Sequence, residues 1–313
     1  MDNIICVVGP TASGKTALSV ALAKALGGEV ISADSMQLYR GMDVGTAKVT
    51  PEEMDGIPHH MIDVADPWES FSAARYVEMA DPILRDILRR GKTAIIAGGT
   101  GLYVDALIAG RTFAPYPETG RRQALEQEAE ELGMEHMLSR LKAVDPDSAA
   151  RLHPADRKRI IRALEVYEET GKTITQHNLE TKALPDSYQP VWIGLTYEPR
   201  QQLYNRIDLR VDKMLEQGLL EEIRGLLDRG TPRECTAMQA IGYKEFLPVL
   251  DGTMPLETAV EQVKQGSRRY AKRQLTWFRR NSKVHWILQN RETTFSDVFS
   301  QAAEQIPFFD SGI

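Results

Sequence analysis

The sequence predicts an α/β fold: a doubly wound parallel sheet with an all-helical domain inserted into it. Three observations predict it. Short apolar runs that end in glycine, proline or small residues alternate with helical stretches through the first 112 residues. From Phe113 to about Gln189 apolar residues recur at helical spacing among many charges, with no convincing strand. Strand character resumes at Val191-Trp192-Ile193-Gly194-Leu195, after a gap far longer than the roughly dozen residues an ordinary crossover needs.

The elements follow in order. Ile4 to Val8 reads as a buried parallel strand, and Thr16 to Leu26 as a helix closed by Gly27-Gly28. Val30-Ile31 begins a second strand that runs out at Asp34, and His60 to Val64 is read as a third. Phe71 to Arg90 reads as a helix despite Pro82, and Thr93 to Ala97 as a fourth strand entering Gly98-Gly99-Thr100-Gly101. Beyond the insertion, Arg200 to Gln217 and Leu256 to Arg280 read as helices and Val284 to Leu288 as the last strand. The domain reading is therefore core at 1–112, helical insertion at 113–190 and core again at 191–313.

Composition bounds the function. A chain of 313 residues with 42% hydrophobic and 26% charged residues can bury a sizeable core. Its formal net charge of −6 does not advertise nucleic-acid binding, so local runs decide that question. The two cysteines, Cys6 and Cys235, make no metal-ligand spacing and no disulfide framework. With no signal-peptide pattern at the N-terminus and no apolar stretch near the ~20 residues that span a bilayer, a cytoplasmic protein with no membrane partner is expected.

Gly9-Pro10-Thr11-Ala12-Ser13-Gly14-Lys15-Thr16 matches G-x-x-x-x-G-K-[ST] in full, between a strand and a helix. Its glycines let the backbone curl so that N–H groups face phosphate oxygens. Lys15 adds charge, the Thr16 hydroxyl suits Mg²⁺, and the following helix points its positive end at the anion. The core is thus P-loop NTPase-like. No N-K-x-D motif supports a GTPase, whereas a small-molecule kinase remains open.

Asp34, in Ser32-Ala33-Asp34-Ser35-Met36-Gln37, stands at the carboxyl end of a strand, where open α/β sheets bind ligands. It reads either as a general base or metal-linked carboxylate, or as a cap or turn former. The Gly98 to Gly101 loop permits close backbone approach and presents one hydroxyl, a weak signal alone.

Two basic clusters stand out in this acidic chain. From Lys264 to Lys283 there are eight basic residues and no acidic one, with Arg269, Lys272, Arg273 and Arg280 on one helical face. Val260, Val263, Tyr270, Trp277 and Phe278 fall opposite. The second, Arg157-Lys158-Arg159 with Arg162, opens a helix from Asp156 to Glu169 inside the insertion. A solvated face normally mixes signs, so these clusters suggest a polyanion, an RNA held by both domains.

Together these residues resemble the tRNA dimethylallyltransferase (tRNA isopentenyltransferase) family. The match runs through the phosphate loop, Ser32 to Lys48, Gly98-Gly99-Thr100-Gly101-Leu102-Tyr103, Arg159 to Val166, Arg206 to Val211, Gln239 to Glu245 and Tyr270 to Arg279. It leaves about the last two dozen residues unmatched, and the Asp34 to Lys48 block is its most specific part. Lacking C-terminal cysteines or paired histidines for a zinc finger, the chain resembles the bacterial type.

The resemblance implies transfer of a dimethylallyl group from dimethylallyl diphosphate to the exocyclic N6 amine of the adenosine immediately 3′ of the anticodon, in tRNAs reading codons that begin with U. It implies that Gly9, Thr11, Ala12, Ser13, Gly14, Lys15 and Thr16 hold the diphosphate with Mg²⁺ on Thr16. Asp34 would be the general base, Arg210 would help neutralise the leaving group, and Thr100 would line the pocket of the flipped base. The implied tRNA contacts are Asp34, Ser35, Met36, Gln37, Thr100, Lys158, Arg159, Ile160, Ile161, Arg162, Gln239, Ala240, Ile241, Gly242, Tyr243, Lys272, Arg273, Gln274, Trp277 and Arg279, in a monomer gripping the anticodon stem-loop. The rivals are a metabolite kinase whose insertion is a lid, and an RNA-binding protein whose phosphate loop is structural.

Overall fold

The computed structural model describes residues 2–111, 113, 119–182 and 185–309. The chain divides into two compact units, residues 1–110 with 187–313, and residues 111–186. In chain order the first unit begins with β1 (Ile4–Val8), α1 (Lys15–Leu26), β2 (Glu29–Ser32), α2 (Pro51–Met54), β3 (His59–His60), α3 (Ala73–Arg89), β4 (Ala94–Gly98) and α4 (Gly101–Ala109). The second unit contributes α5 (Arg121–Leu132), α6 (Met134–Val144), α7 (Pro146–Ala149), α8 (Arg157–Thr170) and α9 (Ile174–Lys182). The first unit resumes with β5 (Val191–Tyr197), α10 (Arg200–Glu216), α11 (Leu219–Asp228), α12 (Leu247–Leu250), α13 (Leu256–Phe278), β6 (Val284–Gln289) and α14 (Phe295–Ala303).

The six strands form one sheet in the order β3-β2-β4-β1-β5-β6, parallel at every pairing. Strand periodicity explains its two cores. Ile4, Cys6 and Val8 of β1 face a cluster that includes Tyr76, Leu84, Val104 and Leu107 from α3 and α4. Ile5 and Val7 face the opposite cluster, with Leu18 and Leu22 of α1 and Val298 of α14. The chain is therefore wound on both faces, as its alternating pattern predicts. Because β2, β4 and β1 are neighbours, the loops leaving their carboxyl ends lie side by side. Those loops are the Asp34 turn, Gly98 to Gly101 and the phosphate loop.

The third strand is shorter than its sequence suggests. It covers His59–His60 rather than His60 to Val64, because Met61 and Asp63 take left-handed conformations at φ 62° and 55° that end it. The chain instead wraps the segment after β2: Val64 N donates to Leu38 O, and the Asp63 carboxylate meets the Lys48 ammonium at 2.6 Å.

The inserted unit has its own core of Leu125, Met137, Leu141, Ile160, Ile161 and Leu164. It closes at Asp186 rather than at residue 190, since Tyr188 belongs to the first unit. The Tyr188 N–H donates to Ile108 O at 3.1 Å and its hydroxyl to Asp81 at 2.6 Å. Among the described residues no helix is long and apolar enough to cross a membrane.

Candidate active site

The phosphate loop is fixed by its own lysine and by side chains from distant parts of the chain. The Lys15 ammonium donates to Pro10 O at 2.7 Å, and Gln289 Nε2 to Ser13 O at 2.9 Å. Arg206 donates to Ala12 O at 3.0 Å, pinning a residue whose φ of 62° is costly without a reason. The Thr11 N–H donates to Gln274 Oε1 at 3.0 Å, and the Thr11 hydroxyl accepts from Arg210 at 3.1 Å. Thr11 thus serves the loop's scaffold, while Gly9, Ala12, Ser13 and Gly14 shape its turn and Gly14 caps α1.

The loop opens on a cavity of about 420 Å³. Thr11, Lys15 and Thr16 line it with Asp34, Ser35, Met36 and Gln37, and Arg210 enters from α10. Gln239, Ala240, Ile241, Gly242 and Tyr243 form another part of the wall, and Arg273 and Gln274 of α13 complete the predicted set within it. The same cavity is lined by the apolar residues Val30, Val49, Ile62, Val211 and Met214.

Its electrostatics favour an anion. Lys15 is half-buried and lines the cavity. Burial first, then the Arg210 charge, pulls its pKa down to about 8, with the Asp34 carboxylate opposing. Burial likewise lowers the pKa of Arg210, again against Asp34. Neither cation forms an ion pair among the described residues.

Asp34 combines both of its predicted readings. Oδ1 accepts from Met36 N at 2.9 Å and Gln37 N at 3.4 Å, a side-chain-closed turn. No hydrogen bond from the described residues reaches Oδ2. Thr100 stands behind this turn: its hydroxyl accepts from Ser35 N at 3.0 Å and donates to Ser35 Oγ at 3.3 Å. Thr100 is not among the residues that line the cavity, and its hydroxyl fixes the Asp34 turn.

The glycines around Thr100 exist for α13. An added Cβ at Gly99 would sit 2.0 Å from Gln274 Nε2, and one at Gly101 would sit 2.1 Å from Trp277 Cδ1. Residues 274 and 277, three apart on one helical face, press on alternate residues of the loop. Tyr270, one turn earlier, lines the cavity with its phenol pushed up to about 12 by burial and then by Asp34. It therefore stays protonated.

Several predicted RNA contacts are engaged otherwise. Gln274 is buried between Thr11 and Gly99, and the half-buried Trp277 donates to Asp105 at 2.8 Å. Tyr243 is buried, with its hydroxyl on Glu222. In the inserted unit Ile160 and Ile161 are core residues at 0% and 1% exposure, so their side chains do not form a surface. Arg157, Arg159 and Arg162 pair with Glu130, Asp156 and Glu165, while Lys158 is exposed. On α13, Lys264 pairs with Asp212 and Arg268 with Asp208 and Glu261. Arg269, Lys272, Arg273, Arg279 and Arg280 remain exposed with no acidic partner among the described residues. The positive stripe is real but shorter than the sequence shows.

Glu222 and Lys48 escaped sequence reasoning as site-building residues. The Glu222 carboxylate accepts from the N–H groups of Asp43, Val44 and Gly45 as well as from Tyr243. Lys48, 9% exposed, donates to Tyr39 O and to the carboxylates of Asp43 and Asp63. No local pattern marks Glu222. Lys48 ended the most specific block, where only its partners were invisible.

The model of the IPP transferase family matches residues 37–281. A tRNA dimethylallyltransferase of Geobacillus thermodenitrificans is 50% identical over 308 residues, covering 97% of this chain and 95% of that one. Another from a Thermoanaerobacter species is 46% identical over 312 residues, covering 98% and 99%. The full-length tRNA isopentenylpyrophosphate transferase of Bacillus halodurans superposes with a TM-score of 0.71 at 45% identity, covering 97% of both chains. A eukaryotic dimethylallyltransferase solved acting on tRNA superposes with a TM-score of 0.84 at 32% identity, covering 97% of this chain and 78% of that one. The chain carrying this cation-lined cavity, at the ends of three adjacent parallel strands, belongs to the IPP transferase family.

Proposed function

We propose that the protein transfers a dimethylallyl group from dimethylallyl diphosphate to N6 of the adenosine immediately 3′ of the anticodon, in tRNAs reading codons that begin with U. The observation that carries this reading is one cavity with three kinds of lining. Among the described residues Lys15 and Arg210 supply cations without ion-pair partners, five apolar side chains supply a wall, and Asp34 supplies a carboxylate oxygen that receives no hydrogen bond. A prenyl diphosphate needs the first two, and an amine acceptor needs the third.

In the reaction the allylic C–O bond breaks as the N6–C bond forms, and diphosphate leaves with the bonding electrons. Lys15 and Arg210 offset the charge that develops on the departing oxygen. Asp34 takes the proton that the amine loses. Seating the adenine there requires that it leave the anticodon-loop stack, and the exposed stripe of Arg269, Lys272 and Arg273 offers phosphate contacts to that loop.

The donor set suits Mg²⁺. Thr16 is exposed and lines the cavity, and among the described residues no group of three His, Cys, Asp or Glu could hold a metal by itself. Such a site fits an ion carried mainly by substrate oxygens and water. Thr16 would hold it, and it would add charge neutralisation at the diphosphate.

Incubation with labelled dimethylallyl diphosphate and bulk bacterial tRNA tests the proposal. Label is expected in RNA. Phosphoryl transfer from ATP to a small acceptor, with no label in RNA, would favour the kinase alternative.

A further inference from the structure

We propose that Gln274 is a positioning residue for the transfer, its single side-chain amide locking the phosphate loop to the glycine loop that supports Asp34. The inference rests on the proposed reading that the phosphate loop holds the diphosphate.

Gln274 lies in α13 and is 5% exposed. Its Oε1 accepts from the Thr11 N–H at 3.0 Å and its Nε2 donates to Gly99 O at 3.0 Å. Each contact opens onto a further bond. On one side the Thr11 hydroxyl accepts from Arg210 at 3.1 Å. On the other, Thr100, next to Gly99, accepts from Ser35 N at 3.0 Å, and Ser35 follows Asp34. A continuous path of hydrogen bonds and single peptide steps thus joins the cation meant for the leaving group to the carboxylate meant for the amine. Its central link is this amide.

The chemistry of the link is specific. A planar amide offers one acceptor and one donor in fixed relation, as a Thr11 N–H on one side and a Gly99 carbonyl on the other require. An ionised glutamate accepts but cannot donate, and methionine of similar length does neither. Gly99 has room for nothing more, since its added Cβ would lie 2.0 Å from Nε2. Proximity catalysis is sensitive to such offsets, because a 1 Å misplacement of reacting groups costs about 10²-fold in rate.

Single-turnover transfer with both substrates saturating, measured from pH 6 to 9, tests this on full-length wild type, Gln274→Met and Gln274→Glu. Gln274→Met is expected to fall by about 10²-fold with tRNA affinity near wild type. Gln274→Glu should match it at high pH and recover relative to wild type toward pH 6. There its protonated carboxyl regains one donor and one acceptor, and burial raises the pH at which that happens. A bond that only stabilised the fold would lower the melting temperature and leave the rate ratio flat with pH. Gly99→Ala, whose Cβ would displace the amide, should reproduce the rate loss in a chain that keeps Gln274. A Gln274→Met rate within threefold of wild type, or a Gln274→Glu to wild-type ratio constant across pH, would overturn the inference. A wild-type protein that puts no label into tRNA would instead remove the functional reading beneath it.

Discussion

Glu222 accepts the Tyr243 hydroxyl at 2.6 Å, and the same carboxylate gathers the consecutive N–H groups of Asp43, Val44 and Gly45 at 2.7, 2.7 and 3.1 Å. One side chain of α11 therefore holds two separate cavity walls, the loop through Gly45 and Thr46 and the segment from Gln239 to Tyr243. Burial first, then the Glu222 charge, keeps the Tyr243 phenol well above its usual pKa range, so it remains a donor.

Removing the shared acceptor should cost more than removing one donor. Tyr243→Phe is expected to lose about 1–2 kcal/mol of stability, because Glu222 keeps its three backbone partners. Glu222→Ala strands four donors and should lose roughly 2–4 kcal/mol. Urea unfolding of both variants measures the difference. Equal losses would contradict the shared-acceptor account.

Asp34→Asn should separate chemistry from turn formation. An asparagine oxygen can still accept from Met36 N and Gln37 N, so stability and both substrate affinities are expected to stay near wild type. The single-turnover rate should fall roughly 10²–10⁴-fold, and added Mg²⁺ should not restore it. Asp34→Ala should add a stability loss of about 1 kcal/mol, since it also loses the turn. Near wild-type turnover by a stable Asp34→Asn protein would remove the general-base role.

Lys15 predicts a pH signature. Its folded pKa of about 8 lies below its ordinary 10.5. Between these values the unfolded chain holds a proton that the folded chain has lost. The cost of the buried ammonium is thus fully present below about pH 8, and stability rises with pH through this window. A bound diphosphate reverses the shift, so binding at pH 9 should take up close to one proton and binding at pH 7 only about a tenth. Calorimetry in two buffers of different ionisation enthalpy reads this directly. Lys15→Met should abolish the uptake, weaken turnover and leave tRNA affinity unchanged. Uptake that persists in Lys15→Met would assign the proton elsewhere.

The two halves of the basic run on α13 should behave differently. Lys272→Glu with Arg273→Glu removes exposed charges that have no acidic partner among the described residues, and each lost phosphate contact should reduce the slope of log K against log salt by roughly 0.7–0.9. Lys264 and Arg268 already pair with Asp212, Asp208 and Glu261, so neutralising them should leave that slope nearly unchanged. Filter binding of tRNA across a salt series distinguishes the two pairs. Identical slopes in both double variants would deny the stripe its role.

What the sequence determined by itself is what short-range physics can encode. The buried run Ile4 to Val8, the glycine curl ending at Lys15 and the amphipathic spacing of α13 are each set by neighbours within a few residues. The order of elements then implies a parallel sheet, and strand ends imply where Asp34 and Lys15 must gather. Other features were settled only by contacts across the chain. Gln274 and Trp277 read as RNA contacts in sequence, because nothing local reveals that Gly99 and Gly101 were left bare to receive them. Ile160 and Ile161 carry the family pattern, yet burial turns them inward. Two of the eight cations in a positive run, Lys264 and Arg268, are silenced by Asp212 and Asp208, about 50 to 60 residues away. Glu222 has no signature at all, since its importance lies in donors some 180 residues upstream. Charge, burial and hydrogen-bond partnership are properties of surroundings, and surroundings exist only once the chain has folded.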